Sequence, residues 1–453
     1  MSRSAPTSGD REDAMYRSRA TPDAESANGS IHIPRNAEWN RRPSSARPAP
    51  AATTRTETVL LLIQALCVAG ILVFMAATFR VGEAAYIAFA LMGAFGIHLA
   101  TRPTRRELLL TLASAAVFAG IYFLLHGKVG DYWGRTIGVA GGFLGMGSLL
   151  LLSCKWIFAP PAAKRSHFEV LREASLIPLL CICSIAAVAL AIRFTPLTYD
   201  RLLYAVDYKF GGPPSWVIGR LFRAHASLFL ACAYAYNSLP LGMVACMWLR
   251  WRDRQNRVHE TADLLWMAVS LGIVGFLLYQ VCPAAGPIYL FPKQFPYAVP
   301  SVVGLATSPA PMQAVPRNAM PSLHVAWMLL LFWNTRNRAW WIRLLATAYL
   351  VLTALATLGL GEHYLADLIV APPLVVAIQA ACTRSAARER WIACLTGAVI
   401  TLSWLIAFRT GAAMMVPRGA AIWSLAAVSL LVPMAAGWRL ERATQADAAG
   451  RSA

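Results

Sequence analysis

The sequence predicts an all-α fold, a polytopic integral membrane helix bundle of about twelve transmembrane helices. Three observations predict it. The chain is 57% hydrophobic and only 14% charged, with a mean hydropathy of +0.51, which excludes a water-soluble enzyme and a mainly disordered protein. Its apolar residues gather in runs close to the ~20 residues that a helix needs to cross a bilayer. Its basic residues lie mostly between those runs. The 41 Lys and Arg exceed the 22 Asp and Glu by 19 charges. In a soluble chain that excess would suggest nucleic acid; here it reads as membrane orientation, and no nucleic-acid partner is expected.

Residues 1–56 are rich in Ser, Ala, Pro, Arg and Asp and poor in large aliphatic side chains. Such a composition cannot bury a core, so it reads as a disordered cytoplasmic tail. It is not a secretory signal, because the first apolar run begins only after it. Candidate spans follow at about 58–79, 84–101, 108–125, 136–154, 174–192, 226–249, 264–282, 321–335, 344–361, 363–383, 391–408 and 419–437. The eighth is short, but the stretch from Asn318 to Thr335 carries no formal charge, which leaves room for an earlier helix start. Pro372-Pro373 predicts a kink or local unwinding in the tenth. The first five spans form an N-terminal extension over 57–194. Residues 195–437 form a second membrane domain with a core of about six helices, and 438–453 a cytoplasmic C-terminal tail.

With the N-terminus inside and the sides alternating, inner segments hold 29 Lys and Arg and outer segments hold 12. Both termini are therefore expected in the cytoplasm. Two outer loops are long. Residues 193–225 carry Tyr199, Tyr204, Tyr208, Phe210, Trp216 and Phe222 among scattered charges, which reads as an interfacial segment with its aromatics at headgroup level. Residues 283–320 are proline-rich and read as a non-helical loop. The nine cysteines fall in or at the ends of apolar runs, and the one close pair, Cys181 and Cys183, is C-x-C without a second pair. They read as packing residues, not as a disulfide framework or zinc site. The Ala- and Arg-rich composition associates the chain with a bacterial cytoplasmic membrane.

Ionisable residues within spans are functional hypotheses by default. Asp367 is the only acid in the twelve candidate spans, and it lies four residues after His363. Both fall at the outer end of span ten, and His324 at the outer end of span eight, so the topology alone brings three ionisable groups to one depth on one face. A carboxylate one turn from an imidazole can hold its ring N–H, fix the tautomer and free the other nitrogen as nucleophile or base. A second histidine across the site can serve as general acid. Two histidines and an aspartate suit in-line phosphoryl transfer through a covalent phosphohistidine.

Pro321-Ser322-Leu323-His324 and Gly361-Glu362-His363-Tyr364-Leu365-Ala366-Asp367, with 39 residues between the two histidines, resemble the type-2 phosphatidic acid phosphatase superfamily. The likeness is greatest to its inositol phosphorylceramide synthase branch, the aureobasidin-target inositolphosphotransferases, and covers about residues 195–382. The resemblance implies a phosphatase-like catalytic core in the C-terminal half, with His363 attacking phosphorus, Asp367 orienting it, and His324 protonating the leaving oxygen and then activating the incoming hydroxyl or water. Ser322 would hydrogen-bond a phosphoryl oxygen. The family is metal-independent, so neither a metal nor a cofactor is expected. The phosphatase members carry a Lys-and-Arg-Pro first motif, Gly where Leu323 stands, and Ser-Arg where Ala356-Thr357 stand. The clamping arginine is thus missing, as in the synthase branch. Arg317 and Lys293 are the substitutes nearest in sequence, Arg317 before Lys293.

Each motif alone has a plainer reading: Ser322 as a helix cap with an interfacial histidine after it, and His363 with Asp367 as a structural polar pair. On the resemblance, the substrate is a phospholipid or polyprenyl phosphate at the outer face, with a lipid hydroxyl or water as acceptor. The transferase and phosphatase readings both stay open. A twelve-span transporter using the same three residues as a proton relay is a third reading, but no internal repeat supports it.

Overall fold

The structure is a computed structural model that describes residues 84–126, 133–255, 263–312, 315–384 and 386–450. The tail at 1–56 and the first candidate span, 58–79, lie outside them. The other eleven runs are all helical. In chain order the first four helices are α1 (Ala84–Ala100), α2 (Arg105–His126), α3 (Trp133–Ile157) and α4 (Pro161–Phe194). The strand β1 (Leu197–Thr198) then leads to the short helices α5 (Asp200–Lys209) and α6 (Pro214–Ala224). Next come α7 (Ala226–Asn237), α8 (Leu239–Gln255), α9 (Leu264–Val281) and the single turn α10 (Pro287–Leu290). After β2 (Ala310–Pro311) follow α11 (Leu323–Asn334), α12 (Trp340–Gly359), α13 (Leu365–Cys382), α14 (Ala387–Thr410) and α15 (Ala420–Gly450). Among the described residues, eight helices are long and apolar enough to cross a membrane.

Three spans depart from the simple pattern. The run 226–249 is broken into α7 and α8, which meet at 59°. Pro240 has no N–H to continue the ladder, and the Ser238 hydroxyl donates to Tyr234 O (2.6 Å), closing the last turn of α7. α11 is only 12 residues long, because the chain from Asn318 to Pro321 is not helical. α15 continues to Gly450, through most of the stretch read as a C-terminal tail. α13 is the most buried of the eight candidate spanning helices. It stays helical through Pro372-Pro373, against α14 on one side and α15 on another.

The extension packs through glycine. On α3, a Cβ at Gly145 would stand 1.9 Å from the Leu91 carbonyl oxygen of α1, and one at Gly147 would stand 2.5 Å from Thr111 O of α2. Backbones approach this closely only where the side chain is a hydrogen, which is how helices associate in lipid, where hydrophobicity supplies no drive between them. α1 in turn packs on α8, and α4 on α9.

The 193–225 segment is not an interfacial ribbon. Its two helices bury their aromatics: Tyr204 and Trp216 have no exposed surface, and they stack with Phe291 and Phe295 at ring-centroid distances of 4.8 to 5.8 Å. The polar ends of the rings find carbonyls in the facing loop, Trp216 Nε1 donating to Ala298 O (2.9 Å) and the Tyr204 hydroxyl to Pro300 O (2.5 Å). Amphipathic aromatics satisfied this way belong to a core, not to a headgroup layer. The two long loops therefore form one packed cap, tied further by the β1–β2 pair.

Gly145→Val forces backbone against backbone, so it should lower the thermal unfolding midpoint in detergent, by the ~1–3 kcal/mol typical of overpacking. A midpoint equal to wild type would show that α1 and α3 can separate.

Candidate active site

The site is made where the N-termini of α11 and α13 meet. The last turn of α12 ends at Leu360, and Gly361 follows in the left-handed region at φ +77°. A Cβ there would also stand 2.9 Å from Ile288 and from Phe295, so position 361 needs glycine on both counts. The chain then turns back: the His363 N–H donates to Thr357 O (3.1 Å), and the His363 carbonyl accepts from the Ser215 hydroxyl (2.9 Å). His363 thus precedes α13, where the sequence had placed it in the helix. Tyr364 is the N-cap and Asp367 the third residue of the helix, whose carboxylate reaches back to the Tyr364 N–H (2.7 Å).

Asp367 therefore has two tasks. Its Oδ2 caps the helix and lies 3.3 Å from His363 Nδ1. The Ala319 carbonyl is closer to that nitrogen, at 2.9 Å. Both neighbours are acceptors, so Nδ1 carries the proton and Nε2 keeps its lone pair. Nε2 faces the Ser322 hydroxyl at 3.4 Å. Ser322 makes no side-chain cap bond to α11, and its N–H donates to the Asp367 carbonyl (3.2 Å). Four of the expected residues are thus brought together. His324, two residues on from Ser322, holds its ring 6.5 Å from that of His363 and stacks flat on Tyr236 of α7 at 3.8 Å. His363 is buried, whereas His324 is half-buried. Burial pushes the His363 imidazole down to about 4, with the Glu362 charge and the Ala319 carbonyl pulling the other way, so Nε2 stays unprotonated at neutral pH.

His324 lines a cavity of about 300 Å³, bounded by α4, α7, α9 and α11 and mostly apolar. The other two expected residues lie elsewhere. Arg317 is buried, and its guanidinium donates to Thr195 O (3.3 Å), Val315 O (2.7 Å) and Met312 O (3.0 Å). These bonds make it a brace for the loop that leads to Ser322, which differs from the phosphate contact expected of it. Lys293 is exposed in the loop after α10.

Two residues that the sequence reading passed over support the site. Asp200 and Asp207 lie seven apart on α5 and are fully buried. Asp207 accepts the N–H groups of Leu365 (2.8 Å) and Ala366 (3.1 Å), so the first turn of α13 is capped from another helix. Burial, with a smaller contribution from the Asp367 charge, pushes the Asp207 carboxyl up to about 8 against those two donors. Asp200 accepts from Gly286 N (2.8 Å), Ala285 N (3.0 Å) and the Tyr364 hydroxyl (2.9 Å). Their signal was the i, i+7 spacing of two acids on one face of α5, passed over among the scattered charges of an interfacial segment. Glu362, beside His363, is held by the Tyr289 hydroxyl at 3.2 Å.

The described helices thus hold an oriented, buried histidine, a second histidine 6.5 Å from it and a mostly apolar cavity beside them. Residues 201–381 match the family model described as PAP2 superfamily. The match supports phosphatase or phosphotransferase activity and an all-helical membrane fold. It runs from the second residue of α5 to the end of α13 but for Cys382, takes in Asp207, Ser322, His324, His363 and Asp367, and leaves Asp200 and α1 to α4 outside. No curated protein and no solved structure matches the chain.

Asp207→Asn sets an amide N–H₂ against a main-chain N–H at the start of α13. Turnover should fall about 100-fold, the scale of a ~1 Å displacement of a reacting group, with little change in KM. Wild-type turnover in that variant would show that α13 needs no external cap.

Proposed function

We propose that the chain is a membrane lipid phosphotransferase resembling inositol phosphorylceramide synthase, passing a phospho-headgroup to a lipid hydroxyl through a phosphohistidine on His363. The observation that carries this reading is the His363 ring: Nδ1 is pinned by Ala319 and Asp367, and Nε2 faces Ser322 across from His324. In the first half-reaction Nε2 bonds to phosphorus as the bond from phosphorus to the lipid oxygen breaks, and His324 gives that oxygen its proton. In the second, His324 takes the proton of the acceptor hydroxyl as its oxygen displaces Nε2. Ser322 and the N–H groups opening α11 would receive the phosphoryl oxygens. The positive-inside pattern supports a site at the outer, non-cytoplasmic face of a bacterial inner membrane, with both termini inside.

One observation favours an alcohol over water. His324 opens onto an apolar cavity, where a lipid hydroxyl is at home and water is not. Hydrolysis of a lipid phosphate or polyprenyl pyrophosphate is the alternative, and it needs water to reach the same nitrogen.

Detergent-purified protein incubated with phosphatidylinositol, phosphatidic acid or a polyprenyl phosphate, with and without diacylglycerol or ceramide, separates the two. A new phospholipid that requires the acceptor establishes the transferase; free phosphate regardless of acceptor makes the protein a phosphatase. His363→Ala should lose activity by at least about a thousandfold. With wild type, acid quench of a headgroup-labelled substrate should leave no label on protein and alkaline quench should retain it, as a phosphoramidate requires. Full activity in His363→Ala would end both readings.

A further inference from the structure

We propose that α4, although it precedes the family-matched segment, completes the substrate site by forming one wall of a slot for the hydrocarbon chain next to the reacting lipid oxygen, and so sets chain selectivity. The inference rests on the lipid phosphoryl chemistry proposed above. Ser184, Ile185, Val188, Ala189 and Ile192 of α4 all line the cavity that holds His324. Their spacing of one, three, one and three residues is a single face of an α-helix. The Ser184 hydroxyl turns back to Leu180 O (2.6 Å), so this face offers the cavity mainly hydrocarbon.

The opposite wall is Leu323 and Trp327 of α11, flanking His324 itself. Trp327 is fixed there, its indole N–H donating to Ala268 O of α9 (3.0 Å). A chain in the slot therefore lies beside the imidazole that handles the lipid oxygen. The slot also has an opening of the right kind. Ala189 is exposed, and the neighbouring Leu190 and Phe194 show 56% and 72% of their surface, so the rim on α4 is apolar and faces outward as a bilayer contact would. At about 300 Å³ the cavity falls at the lower end of the range for ligand pockets, roughly 300–1,000 Å³, which suits part of one chain and not a whole lipid.

The test uses full-length protein in one detergent and a series of phosphonate analogues of phosphatidic acid differing only in chain length, with binding read by competition and thermal shift. Micelle partition is common to all variants, so only differences between them report on the slot. In wild type, affinity should rise beyond partition by up to about threefold to fourfold per methylene and then level off where the slot is full. Val188→Trp narrows the slot and should move that plateau to shorter chains, cutting the long-to-short preference about tenfold or more. Ile185→Ala widens it and should move the plateau to longer chains, which keeps the idea testable if the tryptophan variant does not fold. Leu431→Trp, exposed on α15 and outside the cavity lining, should match wild type. Superimposable profiles for all four proteins would overturn the proposal. A shifted plateau in a protein that turns over no lipid phosphate would uphold the slot and sink the reaction.

Discussion

The structure depends on satisfying the main-chain N–H groups where α13 begins. A helix leaves its first N–H groups without internal partners, and in an apolar surrounding each orphan costs several kcal/mol. Here they are met by carboxylates from two places: Asp367 within the helix takes Tyr364, and Asp207 of α5 takes Leu365 and Ala366. That demand explains why an acid pair is buried in α5 and why the 193–225 segment folds inward. Asp200, two turns earlier, binds the start of the proline-rich loop and the Tyr364 hydroxyl, so one short helix holds the segments on both sides of His363.

Orientation of His363 is then a by-product of helix capping. The carboxylate oxygen that caps α13 also stands beside Nδ1, and the Ala319 carbonyl that shares this nitrogen is delivered by the segment whose N–H groups dock on Ala284 and Asp367. Removing the Asp367 carboxylate would therefore undo a helix terminus as well as a tautomer, and its effect on rate is not a measure of the ring contact alone. Tyr236 plays the matching part for His324, stacking flat on its ring at 3.8 Å and so fixing the plane of the imidazole.

How much of this the sequence carried follows from which interactions are local. Apolar runs and their flanking charges give helices directly, and every candidate run within the described residues is helical. The convergence of His324, His363 and Asp367 also follows, because topology fixes depth and face. Contacts between residues far apart in sequence left no such trace. Asp207 meets Leu365 across 158 residues, and Arg317 meets Thr195 across 122, so an acid pair passed among scattered charges and an arginine looked available. The break at Ser238 was legible, since Leu239-Pro240 follows it, but hydropathy averages over such a turn. The start of α13 two residues after His363 depends on a cap supplied from α5 and lies beyond any local pattern.

On the proposed reading, a buried nucleophile beside an apolar slot bears on the choice between hydrolysis and transfer. A phosphohistidine is a high-energy intermediate, and its fate depends on which hydroxyl reaches it first. His363 is nearly closed off, and the half-buried His324 connects to a cavity lined mainly by Leu, Val, Ile and aromatic side chains, with Ser184, Asn237 and Asn318 among them. Along its apolar walls water has few partners. A lipid alcohol gains free energy by the same burial that water forgoes, at roughly 25 cal/mol per Å² of apolar surface. The selection of alcohol over water on the proposed reading then requires no residue that recognises the acceptor's hydroxyl. It requires only that the acceptor's chain fit where α4 closes the slot, so acceptor choice and exclusion of water become one property of one wall.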